Sequence, residues 1–325
     1  EKSDHYKQLF ADDLLEKGKV KRSSISISQS CAMALGSMVK PIESKDDKKN
    51  PDAKFSDLLL DVWHDHKDIQ TKNFAMLSLG QIGGPVNEER ILKEFDKASK
   101  ELGKPWCALA LGVMSFYRLE KDPGADVSFV AETLTKALKE SRTPSLTGSL
   151  AIALGLTRAK DAADDMRKLM KDNVAKEDMA GYLAIGLALM NESGAKEDIR
   201  EVMKQATRRT ELLQQAAIAM GKLGDKRVAD DLQKLLTDGE PNLAKLSAIA
   251  SALGFIGDQR TIAPLKKMLF DSQLQDLSRA FAAVALGGVA DKESLPWNSK
   301  LGVNTNYRAA VETLTNKSTG ILDIL

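Results

Sequence analysis

The residues able to do chemistry are few, and the densest group is the run DVWHDHKD, where His64 and His66 stand among Asp61, Asp65 and Asp68. Imidazoles and carboxylates this close together raise the question of a divalent-metal site. Helical spacing works against it. Residues two apart on a helix diverge by about 200°, so His64 and His66 cannot reach one ion from one face. His64 does share a face with Asp61 or Asp68, but a polar outer helix face accounts for that pattern, and no metal site is expected. The one further histidine, His5, lies near the start of the sequence, which leaves no base placed for nucleophilic catalysis. There is no phosphate-binding glycine loop, no Gly-x-Ser-x-Gly and no His-Glu-x-x-His. We expect no catalytic residue and no cofactor.

The elements that carry these residues repeat. An Ala-rich apolar run ending in glycine occurs eight times: SCAMALG at Gly36, FAMLSLG at Gly80, WCALALG at Gly112, SLAIALG at Gly155, AGYLAIG at Gly186, QAAIAMG at Gly221, AIASALG at Gly254 and FAAVALG at Gly287. The intervals between these glycines are 44, 32, 43, 31, 35, 33 and 33 residues. A unit of 31–35 residues fits two helices and two turns, and the longer intervals fit the same unit with an inserted loop.

Mid-helix glycine costs roughly 0.8–1.0 kcal/mol relative to alanine, so a recurring glycine needs a compensating gain. Close helix approach supplies one. Two residues before each glycine stands Ala or Ser (Ala34, Ser78, Ala110, Ala153, Ala184, Ala219, Ala252, Ala285), and one before stands Leu, Ile or Met. Small beside large on one helix lets it lie tightly between two neighbours. This is the second helix of each pair. The first is amphipathic and charged, as in 55–66, 88–102, 128–140, 161–171, 196–207, 226–237 and 259–270, with turn signals such as Gly83-Gly84-Pro85 and Asp122-Pro123-Gly124 between. Cys31 and Cys107 share a register five residues before their glycines. Two repeats apart, they exceed the disulfide Cα separation of ~4.4–6.8 Å and read as small core residues.

The run from Ala252 to Leu269, ALGFIGDQRTIAPLKKML, closely resembles the HEAT-like repeat of the phycobilin-lyase type, and AMGKLGDKRVADDLQKLL from Ala219 to Leu236 is a near copy without the proline. The resemblance covers roughly residues 25 to 290. It implies an all-α fold, an α-solenoid of about eight HEAT-like helix pairs, over residues 1–290. Families of this kind include adaptors, transport factors, chromophore-related proteins and DNA-repair enzymes, so the resemblance speaks to fold more than to function.

Charge narrows the function. With 47 basic and 46 acidic residues the formal net charge is +1, which argues against a nucleic-acid partner. The basic residues at the starts of second helices, Lys72, Lys104, Arg208, Arg209, Lys245 and Arg279, form no unbroken ladder, because Asp178 interrupts it. No apolar run is long enough to span a membrane. The opening EKSDHYKQLF lacks a starting Met, which fits a processed chain or the later part of a longer protein.

Two segments depart from the repeat. Residues 40–54, KPIESKDDKKNPDAK, read as a solvated charged insertion, with a partner-docking loop as the alternative. Residues 291–325 contain Pro296-Trp297 and end in GILDIL. They read as a cap laying Trp297, Ile321, Leu322, Ile324 and Leu325 on the last pair, or as a short motif offered to another chain. This tail also resembles the ends of exported bacterial HEAT-repeat proteins. That likeness implies the bacterial envelope, with the cytoplasm as the alternative.

One register varies where the others do not: six residues before and one after the glycine. It carries Phe74, Trp106, Val113, Leu156, Lys222, Phe255 and Phe281. These residues are candidates to line a concave groove and anchor a partner. The competing reading packs them on the first helix of their own pair. The expected function is a non-catalytic scaffold or adaptor holding a protein partner. A phycobilin-lyase-like chromophore handler and a self-assembling envelope protein are the alternatives.

Overall fold

The computed structural model describes residues 2–291 apart from 17–18, 21–24, 45, 47–49, 100–101, 207–208, 226, 238–242 and 258. The proposed tail from residue 292 onward lies outside the described residues. The chain divides into two compact blocks, Glu1–Ala159 and Lys160–Leu325, and each is a row of helix pairs.

In the first block the pairs are α1 (Lys2–Leu14) with α2 (Ile25–Met38), α3 (Ala53–Asp65) with α4 (Ile69–Ile82), α5 (Pro85–Lys97) with α6 (Lys104–Lys121), and α7 (Ser128–Glu140) with α8 (Pro144–Leu156). The second holds α9 (Ala163–Asp172) with α10 (Glu177–Leu189), α11 (Lys196–Gln205) with α12 (Thr210–Lys222), α13 (Arg227–Thr237) with α14 (Leu243–Ile256), and α15 (Ile262–Phe270) with α16 (Asp276–Asp291). Every repeated glycine falls in a second helix. The glycine phrases did not reveal α1, which precedes the first of them, or the short hairpin β1 (Leu15–Glu16) and β2 (Lys19–Val20) that follows it.

The two helices of a pair bury themselves differently. First helices carry one apolar stripe: Ile91 and Phe95 in α5, Val130, Leu134 and Leu138 in α7, Ile199, Val202 and Met203 in α11. Second helices from α4 to α12 are enclosed on nearly every side, and in α8 all residues from Leu146 to Leu156 are buried. A helix without a polar face tolerates only such a place.

Glycine makes the enclosure possible. A Cβ at Gly80 would lie 2.3 Å from the Ala110 carbonyl oxygen, one at Gly112 2.6 Å from Ala153 Cα, and one at Gly254 2.9 Å from Ala285 Cα. Each glycine is thus met by the small residue two before the next glycine. At the first interface that residue is Ser78, whose hydroxyl donates to the Ala32 carbonyl across the contact (2.9 Å).

The charged insertion is not simply solvated. Ile42 is fully buried, its amide donates to the Gly83 carbonyl (3.2 Å), and its own carbonyl accepts from Val86 (3.3 Å). Asn50 donates to the Pro41 carbonyl (3.1 Å), and buried Asp52 accepts from the buried Lys7 ammonium (2.8 Å). The described ends of the loop are therefore pinned, because backbone groups laid against a packed turn must find partners there. Gly84 makes the contact: at φ +89 its added Cβ would lie 2.5 Å from Ile42 backbone atoms.

Candidate interaction surface

The close helix approach decides the fate of the variable register. Phe74, Val113 and Leu156 are buried, so the expected groove has no open wall at these positions. Trp106 and Phe281 are half-buried and Lys222 is exposed. The side chain of Phe255 lies outside the described residues. Second helices from α4 to α12 offer surface chiefly at their ends.

The basic residues at the second-helix starts have a structural task. Lys72 donates to the His64 carbonyl at the end of α3 (2.7 Å), Arg279 to the Leu269 carbonyl in the last turn of α15 (2.9 Å), and Arg209 to the Val174 carbonyl just after α9 (2.7 Å). Carbonyls at a helix C-terminus lack intrahelical donors and carry partial negative charge, so a cation from the neighbouring helix suits them. Lys104 lies over the Phe95 ring instead, 4.5 Å from its centroid. Arg208 and the Lys245 side chain lie outside the described residues.

The histidine cluster is divided among separate roles. His66 is buried and its Nδ1 accepts from the Asp68 amide (3.1 Å). Asp68 caps α4, accepting from the Thr71 amide (2.7 Å) and from Gln29 (3.0 Å). Burial and the neighbouring carboxylates of Asp65 and Asp57 raise Asp61. His64 turns to none of these and meets Glu94 at 3.1 Å. Neither cysteine forms a disulfide and both are buried, and burial pushes the Cys107 thiol up to about 12, which keeps it protonated and unreactive.

His64 and Glu94 belong to a cleft of about 290 Å³ in the first block, at the edge where first helices turn into second. Trp63 forms its wall and donates through Nε1 to Glu94 (3.1 Å). Burial alone would raise the Glu94 carboxyl, but the hydrogen bonds from His64 and Trp63 outweigh it and hold the group below its ordinary value. Lys72, Asn73 and Lys97 also line the cleft. Ile69 and Leu102 flank it with 54 % and 64 % of their surfaces exposed. Trp106 stands one helical turn beyond the cleft residue Gly103. The periodicity of the sequence missed this site because its parts come from the turns of two successive pairs. The local signal was apolar Ile69 and Leu102 placed where a turn ordinarily carries polar residues.

The first helices of the second block are joined by ion pairs between successive repeats. Arg167 and Lys171 hold Asp198 (2.6 and 3.2 Å), Arg227 reaches Glu197 (2.8 Å), and Arg260 reaches Asp230 (3.2 Å). At the centre Arg200, only 7 % exposed, binds Asp225 (2.8 Å) and Asp231. Hydrogen bonds from Arg227, and then from Arg200, hold Asp225 far below the ordinary carboxylate range against the opposing effect of burial. Asp198 is also opposed by burial, and Arg167 and Lys171 lower it.

These shifts give acid lability a definite sign. A carboxylate lowered on folding contributes its full stability above its unfolded value, 3.8 for Asp, and loses it as pH falls through and below that value. Asp61, which is raised, opposes the trend. We expect a melting temperature that is flat from pH 7 to about 5 and falls steeply below about 4. A thermal melting series checks this, and an unchanged melting temperature at about pH 3 would contradict it.

Serial helix pairs packed glycine to alanine, with charged first helices and enclosed second helices, define an α-solenoid repeat protein. The family model of HEAT repeats matches residues 205–287, from the end of α11 into α16, and the serial helix pairs of the chain fit a HEAT-repeat protein. The match is to HEAT repeats in general, not to their phycobilin-lyase type. No curated protein matches the chain. Among the described residues, no helix is long and apolar enough to cross a membrane.

Proposed function

We propose that the chain is a non-catalytic scaffold for a protein partner, which docks an apolar side chain at the turn-edge cleft of the first block. The observation that carries this reading is the cleft itself: an aromatic wall at Trp63, exposed aliphatic flanks at Ile69 and Leu102, and Lys72 and Lys97 around it. Apolar surface beside a concave aromatic wall with polar neighbours is the make-up of an interaction hot spot. Its ionisable floor is already engaged, since Glu94 serves Trp63 and His64. Binding suits that arrangement better than proton transfer.

Leu102→Glu and Trp106→Ala test the site. Peptides selected from a display library on the whole protein are expected to lose at least ~10-fold in affinity on Leu102→Glu. The melting temperature should hold, because Leu102 is exposed. Trp106→Ala separates surface from core: weakened binding with unchanged stability places Trp106 on the docking face, and a lowered melting temperature places it in the packing. Binders indifferent to both substitutions would refute the cleft as the docking site.

A further inference from the structure

The turn-edge cleft of the first block holds polar groups that its own hydrogen bonds leave over. Asn73 of α4 lines the cleft and is only 5 % exposed, yet among the described residues no side-chain hydrogen bond reaches its carboxamide. A buried amide without a partner costs on the order of 1–3 kcal/mol, so a ligand that meets it removes a standing penalty. Lys97 also lines the cleft, exposed and without an ion pair among the described residues. Lys72 gives one hydrogen bond to the His64 carbonyl, and an ammonium has three donors. Glu94 is the one carboxylate among the described lining residues, and it already meets Trp63 and His64. Lys100 and Glu101 lie outside the described residues and cancel in formal charge.

We propose that the cleft takes the free C-terminus of a partner chain whose last side chain is apolar. This rests on the docking reading above and names its occupant. Two ammonium groups and a carboxamide set against apolar walls suit a carboxylate with a hydrocarbon group beside it. The spacing selects a chain end over an acidic side chain. Ile69, Lys72 and Asn73 stand at i, i+3 and i+4 of α4, which puts the apolar and polar parts of the cleft ~5–6 Å apart at Cβ. In a C-terminal residue the carboxylate and the side chain share one Cα, and they match so short a separation. In an extended segment the neighbouring side chain points to the opposite face instead, so an acidic residue next to an apolar one would miss the lysines.

The probes are hexapeptides selected on the whole protein from a library displayed with free C-termini, each then synthesised as the acid and as the amide. The acid should bind at least ~10-fold tighter than the amide. Lys97→Met and Asn73→Leu should each reduce that ratio without lowering the melting temperature, because neither removes a hydrogen bond from the fold. Glu94→Gln leaves Trp63 an acceptor and removes the like charge, so it should tighten the acid and not the amide. Peptides that Leu102→Glu weakens but that bind equally as acid and amide would overturn the proposal and leave the docking site standing. Peptides indifferent to Leu102→Glu would overturn both. An acid preference that survives Lys97→Met and Asn73→Leu together would overturn the proposal by placing the carboxylate elsewhere.

Discussion

Asp225→Ala lowers the unfolding free energy by about 3 kcal/mol, measured by chemical denaturation. The Asp225 carboxylate accepts from Arg200 Nη2 at 2.8 Å, from Arg227 Nη2 at 2.7 Å and from the Arg227 amide at 3.0 Å, with only 5 % of its side chain exposed. Arg200 is the reason for the size of the effect. It is itself buried, so removing Asp225 takes away its buried carboxylate partner and leaves the guanidinium to Asp231, which is partly exposed, and to the exposed Glu197 at 3.9 Å. A stranded charge costs more than the pair contributed. Two comparisons follow. Arg227→Ala should cost far less than Asp225→Ala, because Arg227 is 61 % exposed and water screens it. Arg200→Met combined with Asp225→Ala should be milder than Asp225→Ala alone, because it removes the stranded charge. A double variant at least as unstable as Asp225→Ala would show that lost packing, not the stranded charge, sets the cost.

Gly80→Ala is expected to be comparably damaging, at about 3 kcal/mol. Helix propensity alone predicts the opposite sign, a gain of roughly 1 kcal/mol. The steric effect wins because the new methyl would lie 2.3 Å from the Ala110 carbonyl oxygen and 2.8 Å from its Cα. Neither atom moves without displacing α6, and α6 is enclosed by its neighbours. Gly221→Ala is the matched comparison. Its nearest neighbour is a side-chain atom, Ile256 Cγ1 at 2.5 Å, and Ile256 is only partly buried, so rotation about one bond relieves the contact. The order of damage, Gly80 well above Gly221, follows from whether backbone or side chain stands in the way. Equal losses at the two positions would mean that glycine serves flexibility here rather than close approach.

The sequence by itself determined the local architecture. A mid-helix glycine recurring with Ala or Ser two residues before it admits one economical explanation, and the contacts of Gly80 with Ala110, Gly112 with Ala153 and Gly254 with Ala285 bear it out. The eight phrases also located each second helix, and the charged stretches between them located seven of the first. Only the tertiary structure decided which faces remain free. Periodicity tells which residues share a face, but whether that face is covered depends on the distance to the next helix. Phe74 and Trp106 occupy one register, and the structure buries the first and leaves the second half open. The charged loop gave no sign that Ile42 is pinned between Gly83 and Val86. The row of basic residues gave none that Lys72, Arg209 and Arg279 are spent on helix ends. The cleft of Trp63, Ile69, Glu94 and Leu102 joins residues some 30 positions apart. That separation is one repeat, and neighbours made by stacking have no mark in the spacing of either repeat alone.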